Sequence, residues 1–210
     1  MTRAATGRGR GKPRGPYRKT RVIRERILDA GLEVFSQSGY RKGSLREIAE
    51  RVEMSEAGLL HHFPSKSALL SALLDHRDDR SRELVDIDAE DGLVALAGLV
   101  ALARHNATQP GVVELYCVVS AEATAPDHPA HEFFVDRYAS LRVSLTGTFE
   151  RIRAAGQLRE GVDPAKAAVR VLALWDGLQV QWLLDRGSLD MAQELGDHLQ
   201  RLLTWPLPGR

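Results

Sequence analysis

The sequence predicts an all-α protein of about nine helices, divided into a small N-terminal head and a larger helical body. Apolar residues recur every three or four positions along most of the chain, which is the spacing of one face of an α-helix. No segment alternates apolar and polar residues with the period of two that a half-buried strand requires. Proline, glycine and capping residues interrupt the apolar pattern and set the predicted helix boundaries.

Charge divides the chain at about residue 66. Residues 1–66 carry 15 Lys and Arg against 7 Asp and Glu, whereas residues 67–210 carry 14 against 21. A polyanion is therefore attracted by the head and not by the body.

The longest apolar run, 92–103, is internal and too short for a bilayer span, which needs about twenty residues. The single cysteine, Cys117, excludes an internal disulfide, so we expect a reducing compartment, the cytoplasm.

Residues 1–19 are predicted to be a disordered basic arm. Residues 1–21 hold eight Lys and Arg, four Gly, two Pro and no acidic residue, so little in them can pack. The segment from Gly7 to Pro16 resembles the minor-groove AT-hook motif but lacks its central Arg-Gly-Arg-Pro. Two interpretations stay open, an arm that follows or enters DNA and a solvated tail. If the arm binds DNA, deleting residues 1–19 weakens binding and lowers its salt dependence.

Residues 20–66 begin with a helix from about Thr20 to Ser38, which Gly39 ends. A short helix follows, capped by Ser44, with Glu47 placed to complete a capping box. Its apolar face consists of Leu45, Ile48, Ala49 and Val52.

A second short helix begins at the capping residue Ser55 and stops at Pro64. Two helices of about two turns each cannot bury themselves. Their predicted use is to present one exposed helix to the major groove of DNA, as a helix-turn-helix does.

The body, residues 67–210, is predicted to contain the rest of a fourth helix and five further helices. The fourth helix starts after Ser65 and continues as a charged stretch to about Val85. This stretch should join the head to the body with one face exposed to solvent. The next helix, about 92–106, is apolar almost all round and should be central and surrounded. The remaining four helices are predicted over about 112–125, 130–155, 164–185 and 190–205. Asp127 or His128 is the predicted cap of the second of these, and Asp163 is the predicted cap of the third.

Several residues of the head form a recognisable pattern: Phe35-x-x-x-Gly39, then Ser44-Leu45-Arg46-Glu47-Ile48-Ala49, then Met54-Ser55, then Leu59-x-x-x-Phe63-x-x-Lys66-x-x-Leu69-Leu70. This pattern, over about 24–74, resembles the TetR family of bacterial one-component transcriptional regulators. The segment 173–178 resembles the BetI-like subgroup. The resemblance implies a homodimer whose first three helices and the start of the fourth bind operator DNA, whose remainder encloses a ligand pocket, and whose last two helices dimerise.

Two positions depart from that pattern. Leu60 stands where the family usually has a tyrosine that contacts the phosphate backbone. Glu56 stands where lysine or a small residue is common. A carboxylate there is repelled by phosphates but can accept a hydrogen bond from cytosine N4.

Nine residues are candidate DNA contacts. The second short helix should enter the groove by its N-terminal turn, where Gly58 lets the backbone approach closely. Lys66 adds its charge to a helix N-terminus, and both attract phosphate. His61 is expected to point outward and His62 to pack. The set is Tyr40, Lys42, Ser44, Ser55, Glu56, Ala57, Gly58, His61 and Lys66.

The body offers candidates for a ligand pocket and for a dimer interface. Two almost wholly apolar helices can enclose a cavity, although plain core packing is the alternative for each residue. The pocket candidates are Tyr116, Phe134, Tyr138, Trp175 and Gln179. One head contacts about one groove face, so specific binding requires two heads. The interface candidates are Trp182, Leu183, Leu195 and Leu199.

No arrangement of residues suggests catalysis, so we expect neither an enzyme nor a cofactor. Asp127-His128-x-x-His131-Glu132 has the side chains of a metal site, but its flanking prolines favour a helix entrance, and no metal site is predicted. Cys117 is interpreted as a small core residue.

The sequence therefore predicts a homodimeric repressor that binds a roughly palindromic operator. A small, mostly apolar or aromatic molecule in the body would shift the fourth helix, change the spacing of the heads and release the DNA. One alternative is a regulator without a small-molecule effector, an activator or one controlled by a protein partner. The other is an architectural DNA-binding protein dominated by its basic arm.

Overall fold

The computed structural model describes residues 16–209, which form nine α-helices and no β-strand, so the predicted all-α fold is confirmed. An isolated antiparallel bridge joins Leu158 to Leu203. No helix in the described part of the chain is both long and apolar enough to cross a membrane. The helices are α1 Pro16–Lys42, α2 Leu45–Arg51, α3 Glu56–His62, α4 Lys66–Leu84, α5 Gly92–Ala107, α6 Pro110–Glu122, α7 His131–Ala154, α8 Pro164–Leu184 and α9 Met191–Leu202.

The predicted caps at Ser44, Ser55 and Asp163 are confirmed. The Ser44 hydroxyl accepts from the backbone N–H of Arg46, and the Ser55 hydroxyl accepts from that of Gly58. The Asp163 carboxylate accepts from the backbone N–H of Lys166, the third residue of α8. Each side chain satisfies a donor that has no partner within its own helix.

Two cap predictions are wrong. The Glu47 carboxylate does not complete a capping box, because it pairs with Arg51 one turn later, at 3.1 Å. Neither Asp127 nor His128 caps α7, whose N-cap is Ala130 without a side-chain bond. His128 instead accepts from the Ala130 N–H at its Nδ1, which closes the turn before the helix.

The first helix is longer than predicted. It begins at Pro16, four residues before Thr20, and the predicted break at Gly39 is present as a left-handed residue with φ 73°. One further helical turn follows as far as Lys42. The rest of the predicted basic arm, residues 1–15, lies outside the described residues.

Packing divides the described chain into two hydrophobic cores. The head core joins α1–α4 to α6 and the first turns of α7, and the body core joins α5, the later part of α7, α8 and α9. The N-terminus of α6 lies so close to α1 that a Cβ on Gly111 would stand 2.9 Å from the Ser36 carbonyl oxygen. Arg41 also pairs with Glu122 at 3.0 Å. The change of motif and charge at residue 66 is therefore not a boundary in packing.

The helix α5 is central, as predicted, but it is not fully surrounded. It packs against α4, α6, α7 and α9, and Leu96 and Val100 on it are buried. Val94 remains 53% exposed, so one side of the helix meets solvent.

Candidate nucleic-acid interface and ligand cavity

The head core holds α3 so that its N-terminal turn faces outward. Leu59 and Phe63 are buried, whereas Ser55, Glu56 and Ala57 are exposed. The inward face of α3 is thus used for packing, and the outward turn is free to enter a groove. Farther along the helix, His61 is exposed and His62 is half-buried, as the sequence predicts. Burial, followed by the neighbouring charges of His61 and Arg24, lowers the pKa of His62.

Arg24 on α1 clamps the C-terminal end of α3. Its Nη1 donates to the His62 carbonyl oxygen at 2.6 Å, and its guanidinium carbon lies 4.1 Å from the centre of the Phe63 ring. A cation is favourable both at a helix C-terminus and over an aromatic face. The sequence offered only the composition of α1 as a signal, since the two partners are 38 and 39 positions away.

A second clamp fixes α2 on α1. The Arg51 guanidinium pairs with Glu33 and Glu47, both at 3.1 Å, and donates to Gln37 at 2.9 Å. The two elements that carry the motif are therefore held to the first helix at two points, Arg24 and Arg51.

The predicted phosphate contact Lys66 is engaged within the protein. Its Nζ donates to the Arg41 carbonyl oxygen at 3.0 Å and lies 4.9 Å from the centre of the Tyr40 ring. Burial lowers the pKa of Lys66. Tyr40 itself packs edge-on against Phe35, and burial raises its pKa. Lys66 and Tyr40 thus join the start of α4 to the end of α1, while Lys42 and Ser44 beside them are exposed.

A cavity of about 510 Å³ lies between α4, α5, α7 and α8, with one wall from α6. Three of the predicted pocket residues, Tyr116, Tyr138 and Trp175, line it. The other two do not. Phe134 packs behind the wall, with its ring centre 5.1 Å from that of Tyr116. Gln179 borders a separate void of about 10 Å³ and accepts from Cys117 Sγ at 3.7 Å.

The cavity wall contains a buried charged cluster that sequence reasoning missed. Arg77 and Asp78 are only 7% and 4% exposed. They lie on the stretch of α4 predicted to join head and body with one face in solvent. Arg77 Nη1 lies 3.3 Å from Asp78 Oδ1, and Arg137 Nη1 pairs with Asp78 Oδ2. Both guanidinium groups stand over the Tyr116 ring, at 4.5 and 5.1 Å. Mutual pairing and the aromatic face allow these charges to be buried.

A second polar contact crosses the cavity wall from α7 to α8. The Tyr138 hydroxyl donates to Asp176 Oδ2 at 2.6 Å. Burial raises the pKa of the Asp176 carboxyl, although the Tyr138 hydrogen bond and the two nearby arginines act in the opposite direction. Burial and the same hydrogen bond raise the pKa of Tyr138. The cavity lining therefore combines apolar and aromatic side chains with charged ones.

The predicted dimer-interface residues are mostly part of the body's own core. Trp182 is 6% exposed, Leu195 and Leu199 are fully buried, and Leu183 is half-buried. This corrects the assignment of Trp182, Leu195 and Leu199, because a side chain buried within its own chain offers little contact surface, whereas the assignment of half-buried Leu183 stays a prediction. The opposite face of α8 carries an exposed or half-buried stripe of apolar and small residues, here called the α8 stripe: Val169, Ala173, Gly177, Val180 and Leu184.

His128, before α7, and His131, the first residue of α7, serve the local structure. His131 Nδ1 lies 2.8 Å from the Ala123 carbonyl oxygen, and His128 accepts from a backbone N–H. Within residues 16–209, no group of three or more His, Cys, Asp or Glu side chains is placed to hold a metal ion. Cys117 is half-buried, and burial raises the pKa of its thiol to about 11.

Two family profiles match this chain. One, for bacterial regulatory proteins of the tetR family, matches residues 27–73, which is the head as far as the middle of α4. The other, for the C-terminal part of BetI-type transcriptional repressors, matches residues 98–204, about half of the chain. The chain belongs to the TetR family. It is therefore a DNA-binding transcriptional regulator with a helix-turn-helix, and its family and relatives are regulators rather than enzymes.

Individual relatives agree with this membership of the TetR family. The repressor KstR of Mycolicibacterium smegmatis is 31% identical over 87% of this chain and 87% of its own length. SmeT, the repressor of the multidrug efflux pump SmeDEF of Stenotrophomonas maltophilia, superposes with a TM-score of 0.73 at 21% identity, over 91% of this chain and 96% of its own. A transcriptional regulator from Saccharomonospora viridis, solved in complex with choline, superposes with a TM-score of 0.71 at 24% identity, over 88% of this chain and 100% of its own. The two structural similarities show a shared fold.

Proposed function

We propose that this TetR-family regulator is a homodimeric repressor that a small molecule releases from its operator. The observation that carries the proposal is the position of the cavity. Its wall includes the second half of α4, whose first half belongs to the head core and begins next to α3. A ligand that changes the packing of α4 would therefore move the DNA-binding helix.

The proposed DNA surface is the exposed N-terminal turn of α3 together with the exposed end of α1. The residues proposed to contact bases or phosphates are Lys42, Ser44, Ser55, Glu56, Ala57, Gly58 and His61. We assign Tyr40 and Lys66 to positioning, because Lys66 donates to the end of α1 and lies over the Tyr40 ring. The backbone N–H groups at the start of α3 suit phosphate or base acceptors.

The proposed dimer forms through the α8 stripe. Its five residues recur every three or four positions on the side of α8 that faces away from the core. Leu184 is 83% exposed and Val180 is 47% exposed, and no atom lies within 4 Å of a Cβ built on Gly177. We expect a second copy of this chain to pack on the α8 stripe, because a single head reaches about one turn of the DNA groove and specific recognition needs two heads. A two-fold axis at α8 would provide them.

Release would be a population shift between two dimer states. A ligand changes the DNA affinity only as far as it binds one state better than the other. Because the cavity lies between the head core and the body core, ligand contacts with both walls depend on how the two cores are arranged. The Saccharomonospora viridis protein, of the same fold, binds a small molecule, choline.

The first test is the selection of binding sites from random DNA, followed by footprinting. A short protected site with two related halves is expected. Sequence-indifferent coating of DNA would contradict the proposal and favour an architectural protein.

The second test is a thermal-shift screen of small molecules, repeated as release of the selected DNA. Compounds that stabilise the protein are expected to weaken its DNA binding. If every stabilising compound leaves the DNA affinity unchanged, ligand-induced release is wrong and a regulator without a small-molecule effector is favoured.

A further inference from the structure

We propose that the effector is an apolar amine, whose protonated nitrogen pairs with Asp176 while its apolar part lies along the leucine and valine walls of the cavity. This inference rests on the proposed function, because it names the chemical class of molecule that the cavity binds.

The first argument is the charge of the cavity. Six aspartate and three arginine side chains line it, so the walls carry an excess of negative charge. The arginines already have partners. Arg77 and Arg137 pair with Asp78, and Arg82 pairs with Asp79. No described arginine of the wall is left unpaired to balance the other aspartates.

The second argument is the state of Asp176. Its Oδ2 accepts the Tyr138 hydroxyl, and no ion pair with a described Lys, Arg or His reaches it. A carboxylate can accept about four hydrogen bonds, so one from a tyrosine leaves room for the N–H groups of an ammonium ion. A half-buried carboxylate without a direct ion-pair partner is costly to ionise, and burial raises the pKa of Asp176 although Arg137 and Arg77 act in the opposite direction. A bound ammonium would provide the missing charge.

Aromatic rings of the wall also suit a cation. Tyr138, whose hydroxyl donates to Asp176, and Trp175, which precedes Asp176 in the chain, both line the cavity, and aromatic rings favour a neighbouring cation. Leu102, Leu145 and Val171 supply apolar surface for the rest of the molecule. The combination fits a ligand with one charged end and an apolar body.

An anionic effector fits less well. The Arg137 Nε has no hydrogen-bond partner among the described residues and could donate to such a ligand. The anion would nevertheless face six aspartates, while the three arginines of the wall already pair with Asp78 or Asp79.

The test uses three probes with the same apolar part: 4-phenylbutylamine, 4-phenylbutan-1-ol and 4-phenylbutyrate. Their affinities for the full chain are measured by calorimetry at pH 7.5. We expect the amine to bind at least tenfold more tightly than the alcohol and the acid. Equal affinities, tighter binding of the alcohol or the acid, or no binding of any probe would overturn the proposal.

The variant Asp176→Asn removes the charge but keeps an oxygen that can accept from Tyr138. It is expected to abolish the preference for the amine over the alcohol. The matched control is Asp136→Asn, an exposed aspartate of α7 that lines the same cavity, which should change the preference by less than about twofold because solvent screens its charge. If Asp176→Asn binds the amine as the unmodified protein does, the assignment of Asp176 is wrong. If that variant does not fold, the ranking of the three probes still decides the ligand class.

Release of selected DNA, followed by fluorescence anisotropy, separates the two proposals. Amine binding that depends on Asp176 but leaves DNA affinity unchanged would contradict ligand-induced release and support the amine site. Release by the alcohol or the acid, without a preference for the amine, would support the regulator and overturn the amine site.

Discussion

At the scale of single residues, several cationic side chains of the head position the DNA-binding helix. Arg24 holds the end of α3, Arg51 holds α2, and Lys66 joins α4 to the end of α1. An arginine or lysine near a DNA surface is usually expected to contact phosphate. Here the partners of these side chains lie within the protein, so their effect on DNA binding would be indirect.

Replacement of Arg24 by Gln distinguishes the two roles. We expect a loss of about 1 kcal/mol in stability and weaker operator binding, because the end of α3 loses a hydrogen bond and a cation over Phe63. The salt dependence of binding should stay unchanged, since no phosphate contact is lost. Lys42→Gln, at an exposed lysine, should lower the magnitude of the slope of log K against log salt by about 2, because each dimer carries two copies of Lys42. A similar fall for Arg24→Gln would show that Arg24 contacts phosphate.

Cys117 provides a prediction about pH. Burial raises the pKa of its thiol to about 11, from an ordinary value of 9.0. At pH 8 the thiolate fraction should therefore be roughly a hundredfold smaller than that of an exposed cysteine, and the thiolate is the reactive form. Reaction of the folded protein with a disulfide reagent such as dithiobis(nitrobenzoate) should be correspondingly slow, and unfolding in guanidinium should make it fast. A folded-state rate equal to that of glutathione would contradict this.

At the scale of elements, α4 and α8 each have two different environments. The first half of α4 packs in the head core and its second half lines the cavity. One face of α8 packs in the body core, Asp176 contacts α7, and the remaining face carries the α8 stripe. In the proposed mechanism, these two helices would connect the ligand, the DNA and the second copy.

The replacement Val180→Lys tests the α8 stripe. We expect a folded monomer with much weaker operator binding, because a charge would be buried against the second copy. Sedimentation velocity measures the oligomeric state. The matched control is Val118→Lys on α6, since both valines are 47% exposed, and it should remain dimeric. A dimeric Val180→Lys protein would place the interface elsewhere.

At the scale of the whole molecule, the cavity lies between two packed units. Tyr116, Tyr138 and the second half of α4 adjoin the head core, whereas Leu145 and Val171 belong to the body core. The helix α6 packs with the head through the contact of Gly111 with Ser36. We therefore expect α6 to follow the head when the two units move relative to each other.

The replacement Gly111→Ala tests that contact. The added Cβ would lie 2.9 Å from the Ser36 carbonyl oxygen, a backbone atom that cannot move aside alone, so we expect a loss of about 1–3 kcal/mol. Gly147→Ala in α7 is the control, because its Cβ would meet only the flexible end of Arg151, at 3.4 Å. That control should keep or slightly raise the melting temperature, since alanine favours a helix more than glycine does. Equal melting temperatures for the two variants would contradict the close packing of α6 on α1.

Local features of the sequence were sufficient for the fold class, for most helix boundaries and for the outward turn of α3. A cap such as Ser55 or Asp163 acts within three residues of its own position, and an apolar stripe is visible in a single helix. The outward position of His61 and the packing of His62 were likewise indicated by their immediate neighbours, Leu60 and Phe63.

Only the tertiary structure decided which polar groups are buried and which apolar ones are exposed. Asp78 is paired with Arg137, 59 positions away, and Lys66 donates to Arg41, 25 positions away, so no local pattern distinguishes them from solvated charges. Leu195 and Val180 are both apolar residues on C-terminal helices, yet the first is in the core and the second is on the surface. The sequence by itself determined the helices and the helix-turn-helix motif, because those depend on neighbouring residues. The cavity, its charged cluster and the α8 stripe depend on which helices meet, and that is a property of the folded chain.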